Sequence, residues 1–343
     1  MKKLILDVIY GEKNDRVPIW IMRQAGRYLP QYRKLRRKYD FLSMCLTPEL
    51  AAEITLQPVE TLDVDAAIIF SDILIPCLSM GCMVEFIEGK GPVFHSPVRS
   101  LEDIRSLKIA SQNKELDCIF KTLTIVKKEL PHRKTLIGFC AAPFTLACYL
   151  VEGGTPKNFL HIKTLLYDKP DAYSTLMEKI TQTLITFLKV QAKSGADILQ
   201  IFDTWGGILS PSDFKKFSLP YLEELMFEFK KECNQPLVYF MRGSGGFLSI
   251  LKNLSVEVMG IDWTVDLLEA SKRLGERFVL QGNLDPAILL SGKSTIREKA
   301  VEILRQGEKI KGHIFNLGHG ILPSTPVENA RYLVEVVHNF SPK

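Results

Sequence analysis

The chain has 343 residues, 46% of them apolar and 24% charged, close to the soluble globular average, so it can bury a full core. Its longest uncharged stretch, residues 135–151, is short for a membrane span and holds Pro143. Seven cysteines without a C-x-x-C pair argue against a disulfide framework and fit buried thiols in a reducing compartment.

At the amino terminus, Met1-Lys2-Lys3 and Leu4-Ile5-Leu6 resemble the start of a secretion signal. Asp7 breaks the apolar run and no small-residue cleavage site follows, so a cytoplasmic protein is expected. The first predicted strand is 17–21. The next is 66–70, preceded by a helix that opens on Thr47-Pro48-Glu49, a cap, a first-turn proline and an early acid. Residues 84–87, the run Gly89-Lys90-Gly91-Pro92 and then Val93-Phe94 read as a β-hairpin inserted after strand 2, near the mouth of the fold.

Predicted strands follow at 135–139, 198–202, 237–241, 258–261, 278–280 and 314–317. Each is short and almost wholly apolar, as parallel strands buried on both faces should be. Helical patterns at 170–194, closed by Gly195, and at 220–233, 266–274, 294–306 and 326–337 alternate with them. Eight strands alternating with helices predict an α/β fold, a single-domain (β/α)8 TIM barrel over residues 1–343. A doubly wound sheet is the alternative.

The net charge of +5 is concentrated. Arg23, Arg27, Arg33, Lys34, Arg36, Arg37 and Lys38 put seven cations and no anion into residues 23–38, and without them the balance would be −2. An anionic partner is expected there.

In a barrel of this kind, chemistry gathers at the carboxyl ends of the strands. Those ends carry Arg23, Gln24 and Arg27; Ser71 and Asp72; Ala142-Pro143 with Tyr149 a turn further on; Asp203 and Thr204; Arg242; Asp262; Gln281 and Asn283; and Asn316 and His319. Arg23 and Arg27 read either as ligand-binding cations or as surface charge. Asp72 reads equally as a functional carboxylate or as a helix cap. Asp203 reads as structural, Trp205 as a wall, and Tyr149 as a core residue on burial grounds alone. His319, between Gly318 and Gly320, has too little around it to be a packed core histidine.

Several chemistries lack their motifs. H-E-x-x-H and G-x-S-x-G are absent, and no histidine has a cysteine two residues later. Gly292-Lys293-Ser294 lacks the earlier glycine of a phosphate loop, since Ala287 occupies that position, and Gly243-Ser244-Gly245-Gly246 is an incomplete dinucleotide fingerprint. What remains is a site of arginines, carboxylates, a tyrosine and a histidine, expected to use no metal and no nucleotide.

The run Pro18-Ile19-Trp20-Ile21-Met22-Arg23-Gln24-Ala25-Gly26-Arg27-Tyr28-Leu29-Pro30 resembles the amino-terminal signature of the uroporphyrinogen decarboxylase family. Further matches include Phe70-Ser71-Asp72-Ile73-Leu74, Ala142-Pro143-Phe144-Thr145-Leu146, Tyr149-Leu150-Val151-Glu152-Gly153-Gly154, Gln200-Ile201-Phe202-Asp203-Thr204, Gly260-Ile261-Asp262-Trp263-Thr264, Gln281-Gly282-Asn283-Leu284-Asp285-Pro286 and Asn316-Leu317-Gly318-His319-Gly320. Together they run the length of the chain. The resemblance implies a cofactor-independent, metal-free barrel acting as a homodimer, with no nucleic-acid or membrane partner. The implied reaction decarboxylates the four acetates of uroporphyrinogen III, giving coproporphyrinogen III in haem synthesis.

Carried over by motif, the catalytic residues are Asp72, Arg23 and Tyr149. The substrate contacts are Arg23, Gln24, Arg27, Asp72, Tyr149, Thr204 and His319. Thr204 stands where some members have serine, and Trp205 where some have histidine. The resemblance sets Asp72 under the macrocycle, accepting from its pyrrole N–H groups, and the arginines on its carboxylates. The source of the proton is open between Arg23, water and a substrate carboxylic acid. The enzymatic rival is a corrinoid-dependent methyltransferase, which would need a zinc site, and a rival of another class is a basic nucleic-acid-binding protein.

Overall fold

A computed structural model describes residues 3–110 and 114–341. Met1 and Lys2, the head of the segment tested for a leader, lie outside the described residues.

Among the described residues, seven parallel strands form one sheet: β1 (Ala66–Ile68), β4 (Thr135–Ala141), β5 (Ile198–Asp203), β6 (Leu237–Met241), β7 (Val258–Gly260), β8 (Val279–Leu284) and β9 (His313–Leu317), hydrogen-bonded in that order. The two others, β2 (Val84–Ile87) and β3 (Gly91–Phe94), pair antiparallel as the expected hairpin. Nearly every position of the seven strands is buried, because the barrel interior covers one face and helices cover the other. The fold is the expected α/β barrel.

The predicted first strand is the exception. Residues 17–21 make one isolated bridge, Ile19 to Phe315 of β9, through Phe315 N to Pro18 O (2.8 Å) and Trp20 N to Phe315 O (3.3 Å). On the β1 side, Asp65 N donates to Ile19 O at 2.7 Å, and the Asp65 carboxylate accepts from Ile19 N at 2.9 Å. The segment thus fills the eighth place and closes the barrel. It is no ladder strand because Pro18 has no N–H to give, and side chains take over from main chain beyond Ile19.

At the opposite end of the barrel from the strand carboxyl ends, Arg16 grips Asp65 with two bonds of 2.7 and 2.6 Å. The His338 ring approaches the same carboxylate at 3.5 Å, tying the final helix, Val327–His338, to the closing segment.

The long helix Pro170–Lys193 starts on its proline and gives way to Gly195 at φ +105°, as its pattern predicts. The helix Pro48–Leu62 also starts where expected, although the Thr47 side chain makes no cap bond. The hairpin is anchored by a bridge from Val93 to Gly154. A Cβ on Gly154 would stand 2.5 Å from Pro92 O, so only glycine lets the hairpin lie this close.

Candidate active site

Above the carboxyl ends of the strands lies a cavity of about 490 Å³. Its apolar wall includes Phe139, Phe202 and Phe240, which meet edge to face with ring centroids 5.6 and 6.1 Å apart. Its polar groups are Arg23, Asp72, Tyr149, Thr155, Thr204, Arg242 and His319, with the Trp205 indole. Pro92, from the hairpin, also lines it, which puts the insertion at the mouth as expected.

Arg23 is held in place by its neighbours. Ile21 N donates to Gln24 Oε1 (3.1 Å), Met22 N to Asn316 Oδ1 (2.9 Å) and Ile321 N to Met22 O (2.9 Å). Clamped on both sides, Arg23 adopts φ +62°, a left-handed conformation that costs an arginine on the order of 1–3 kcal/mol. The side chain then runs across Gly320, where a Cβ would lie 2.3 Å from Arg23 Cδ. A Cβ on Gly318 would meet Trp263 N at 2.4 Å. The glycines beside His319 therefore serve close packing on both sides of it. The His319 ring itself stacks at an angle on Phe240, at 6.2 Å between centroids, and sits edge-on to Trp263 at 6.4 Å.

Asp72 is half-buried, and its Oδ1 accepts from Leu74 N at 2.9 Å. Asp72 is not the cap of the helix Ile75–Ser79, whose N-cap is Leu74; its carboxylate orders the turn ahead of that helix and faces the cavity. Burial pushes its carboxyl from the usual 3.8 up to about 6, with the Leu74 N–H and the Arg23 charge holding it down. Tyr149 is pushed up to about 12, by burial first and the Asp72 charge second, so it keeps its proton at neutral pH. His319 is lowered to about 4, by burial first and then by Arg23 and Arg242, and is neutral.

The structure does not bring Gln24 to the cavity. Gln24 is fully buried, and while its Oε1 accepts from Ile21 N, its Nε2 donates to Ala66 O at 2.9 Å. It supplies the hydrogen bonds that a main-chain ladder between the closing segment and β1 would otherwise make. Its assignment as a substrate contact is corrected to a structural one. Arg27 is exposed and stands off the cavity wall. Asp203 is structural, accepting from Thr145 Oγ1, Tyr239 OH and Gly206 N at 2.7–2.8 Å.

Gln281 lies inside the barrel below the cavity, accepting from Trp20 Nε1 at 2.9 Å and donating to Gln200 Oε1 at 3.1 Å. Three polar cavity residues, Thr155, Trp205 and Arg242, were not assigned as ligands from sequence. Arg242 could have been, since it follows a buried strand just as Arg23 does. Trp205, expected as wall, also packs at a tilt on Tyr149 with ring centroids 6.1 Å apart, and its side chain acts on the Tyr149 hydroxyl.

Among the described residues no three His, Cys, Asp or Glu side chains gather as a metal cluster, and no helix is long and apolar enough to cross a membrane. All seven cysteines are buried and unpaired.

A family model for uroporphyrinogen decarboxylase matches residues 1–340. The uroporphyrinogen decarboxylase of Geobacter sulfurreducens is 46% identical over the full length of both chains, and that of Coxiella burnetii is 48% identical over 96% of this chain and 92% of its own. Among solved structures, a methyltransferase from Methanosarcina mazei superposes with a TM-score of 0.82 at 21% identity, covering 99% of each chain. At that identity the likeness shows a shared fold. The chain belongs to the uroporphyrinogen decarboxylase family.

Proposed function

We propose that this protein is a uroporphyrinogen decarboxylase, converting the four acetates of uroporphyrinogen III to methyls and releasing coproporphyrinogen III, with residues 1–343 as one catalytic domain. The observation that carries this reading is Asp72, a half-buried carboxylate on a largely apolar cavity beside the Arg23 guanidinium.

Decarboxylation leaves an electron pair that needs a sink, and a pyrrole can be that sink without a cofactor. Protonation of a ring α-carbon gives an iminium-like cation. The bond between the acetate methylene and its carboxylate then breaks, its electron pair enters the ring, and carbon dioxide leaves. The exocyclic methylene takes a second proton and becomes a methyl, and loss of the ring proton restores the pyrrole, for a net uptake of one proton. Positive charge develops on the ring, so the Asp72 carboxylate, accepting from the pyrrole N–H groups, stabilises the transition state.

In this reading Arg23 grips and orients a substrate carboxylate with its planar fork. Tyr149, protonated throughout the working range, donates a hydrogen bond, as does Thr204. Neutral His319 offers an N–H to a propionate. Arg27 and the cations from Arg33 to Lys38 attract the polyanion from outside the cavity. The working form is a cytoplasmic homodimer, and sedimentation at the mass of a single chain would exclude that assembly. Incubating the protein anaerobically with uroporphyrinogen, with and without a chelator, should give hepta-, hexa-, penta- and tetracarboxylate products in sequence. An unchanged octacarboxylate would refute the reading.

A further inference from the structure

We infer that Arg242 is a second carboxylate-binding residue, holding a propionate of the substrate across the cavity from Arg23; this rests on the proposed function. Counting the closing segment, the barrel has eight places, and that segment and β6 stand four places apart, diametrically opposite. Arg23 follows the first and Arg242 the second, and both line the cavity. A macrocycle with carboxylates around its rim is met by a guanidinium on each side.

The main chain at Arg242 is built to hold that position. Arg242 N donates to Asp203 O at 3.1 Å. Gly243, at φ +74°, donates its N–H to the Asp262 carboxylate. The Arg242 carbonyl lies where a Cβ on Gly207 would stand 2.5 Å away, so a glycine makes room for it. The two nearby acids are already engaged. Asp203 is bound by Thr145, Tyr239 and Gly206, and Asp262 by Gly243 and Thr264. The Arg242 side chain makes no ion pair within the described residues, which leaves its fork open to a ligand.

A propionate is favoured over a reacting acetate by where the charge of Arg242 is felt. Arg23 acts on Asp72, Tyr149 and His319, whereas Arg242 acts on His319 and on neither of the other two, in keeping with its place on the opposite strand. Arg242 thus belongs to the side of the cavity away from the reacting carboxylate. Propionates persist through all four decarboxylations while acetates disappear, and this gives the two assignments different kinetic signatures.

Arg242→Gln and Arg242→Lys test it, with circular dichroism as the folding control. Arg242→Gln should raise KM by roughly ten- to a hundredfold for the octacarboxylate, and by the same factor for the hepta-, hexa- and pentacarboxylates, with kcat little changed. Arg242→Lys, which keeps the charge and loses the fork, should fall between wild type and Arg242→Gln. An unchanged KM, or a loss that shrinks as acetates are removed, would overturn the assignment while wild-type turnover leaves the function standing. Wild-type protein that leaves uroporphyrinogen untouched would overturn the function and this inference together.

Discussion

Asp72→Asn should make the protein more stable and nearly inactive, and the stability gain should depend on pH. In the folded chain the Asp72 carboxyl sits at about 6, against its usual 3.8. At about 1.4 kcal/mol per tenfold in proton affinity, that difference costs the folded state about 3 kcal/mol once the carboxyl is ionised. Because the folded value is raised, the cost is absent below pH 4, grows between pH 4 and 6, and is complete above 6. The amide keeps an oxygen for the Leu74 N–H and never ionises. The variant should therefore melt with wild type at pH 4 and about 4 °C above it at pH 8, given the unfolding entropy of a chain this long.

Activity should move the other way. Loss of the charge that faces the developing cation should cost on the order of 10²–10³ in kcat. The wild-type kcat/KM should rise with pH through a midpoint near 6 as Asp72 ionises. Matched thermal scans at pH 4, 6 and 8, with uroporphyrinogen turnover measured on the same preparations, read both effects. A melting gap that ignores pH would refute the buried-charge cost, and near-normal turnover would refute the catalytic role.

Arg27→Ala should raise KM modestly at low salt and not at all near 0.5 M salt, since its charge stands off the cavity and is screened, whereas Arg23, also exposed, lines the cavity and the defect of Arg23→Ala should persist; a salt-resistant Arg27 effect would place it in the cavity. Gly320→Ala should reproduce much of the kinetic loss of Arg23→Ala, because the new methyl claims the space of Arg23 Cδ; intact kcat/KM would show that Arg23 works from another path. Gln24→Leu should cost about 2–5 kcal/mol of stability by stranding Ile21 N and Ala66 O, and should raise KM in the folded fraction as the turn that presents Arg23 loosens, as denaturant titration and kinetics can show. At Asp65, burial raises the carboxyl, but the Arg16 and His338 side chains and the Ile19 N–H outweigh it and hold it well below the usual range, so its stabilisation is present above about pH 4 and lost as pH falls further. Asp65→Asn should cost about 3–5 kcal/mol at pH 7, and a smaller loss in denaturant melts would mean the Arg16 pair is dispensable.

Most of the fold could be read from period and composition. The runs that became β4, β5, β6 and β9 are nearly all apolar, and strands buried on both faces leave that record. Side-chain direction leaves no such record. Gln24 and Arg23 are neighbours in the same signature, yet one is sealed between Ile21 and Ala66 and the other lies on the cavity. Nothing in the residue types separates them, since a glutamine beside an arginine at a strand end fits a ligand as well as a brace. Gly318 and Gly320 were legible as unusual but not in their purpose, because the atoms they admit, Trp263 N and Arg23 Cδ, come from distant parts of the chain.

The failed strand prediction at 17–21 and the position of Arg23 share a physical cause. A regular eighth strand would have carried its ladder through residues 20–24, with alternating side chains and no left-handed residue. Gln24 and Asn316 instead satisfy Ile21 N and Met22 N through their side chains, which releases the main chain to turn. That turn puts Arg23 at φ +62° and sends its side chain over Gly320 into the cavity. Hydrogen bonds that a ladder would have formed in the main chain are here made by two amide side chains. The barrel thereby closes at this seam through side chains while Arg23 faces the site. A substitution that restored ladder geometry here, such as a β-branched residue at Gln24, would remove the turn on which the Arg23 contact depends.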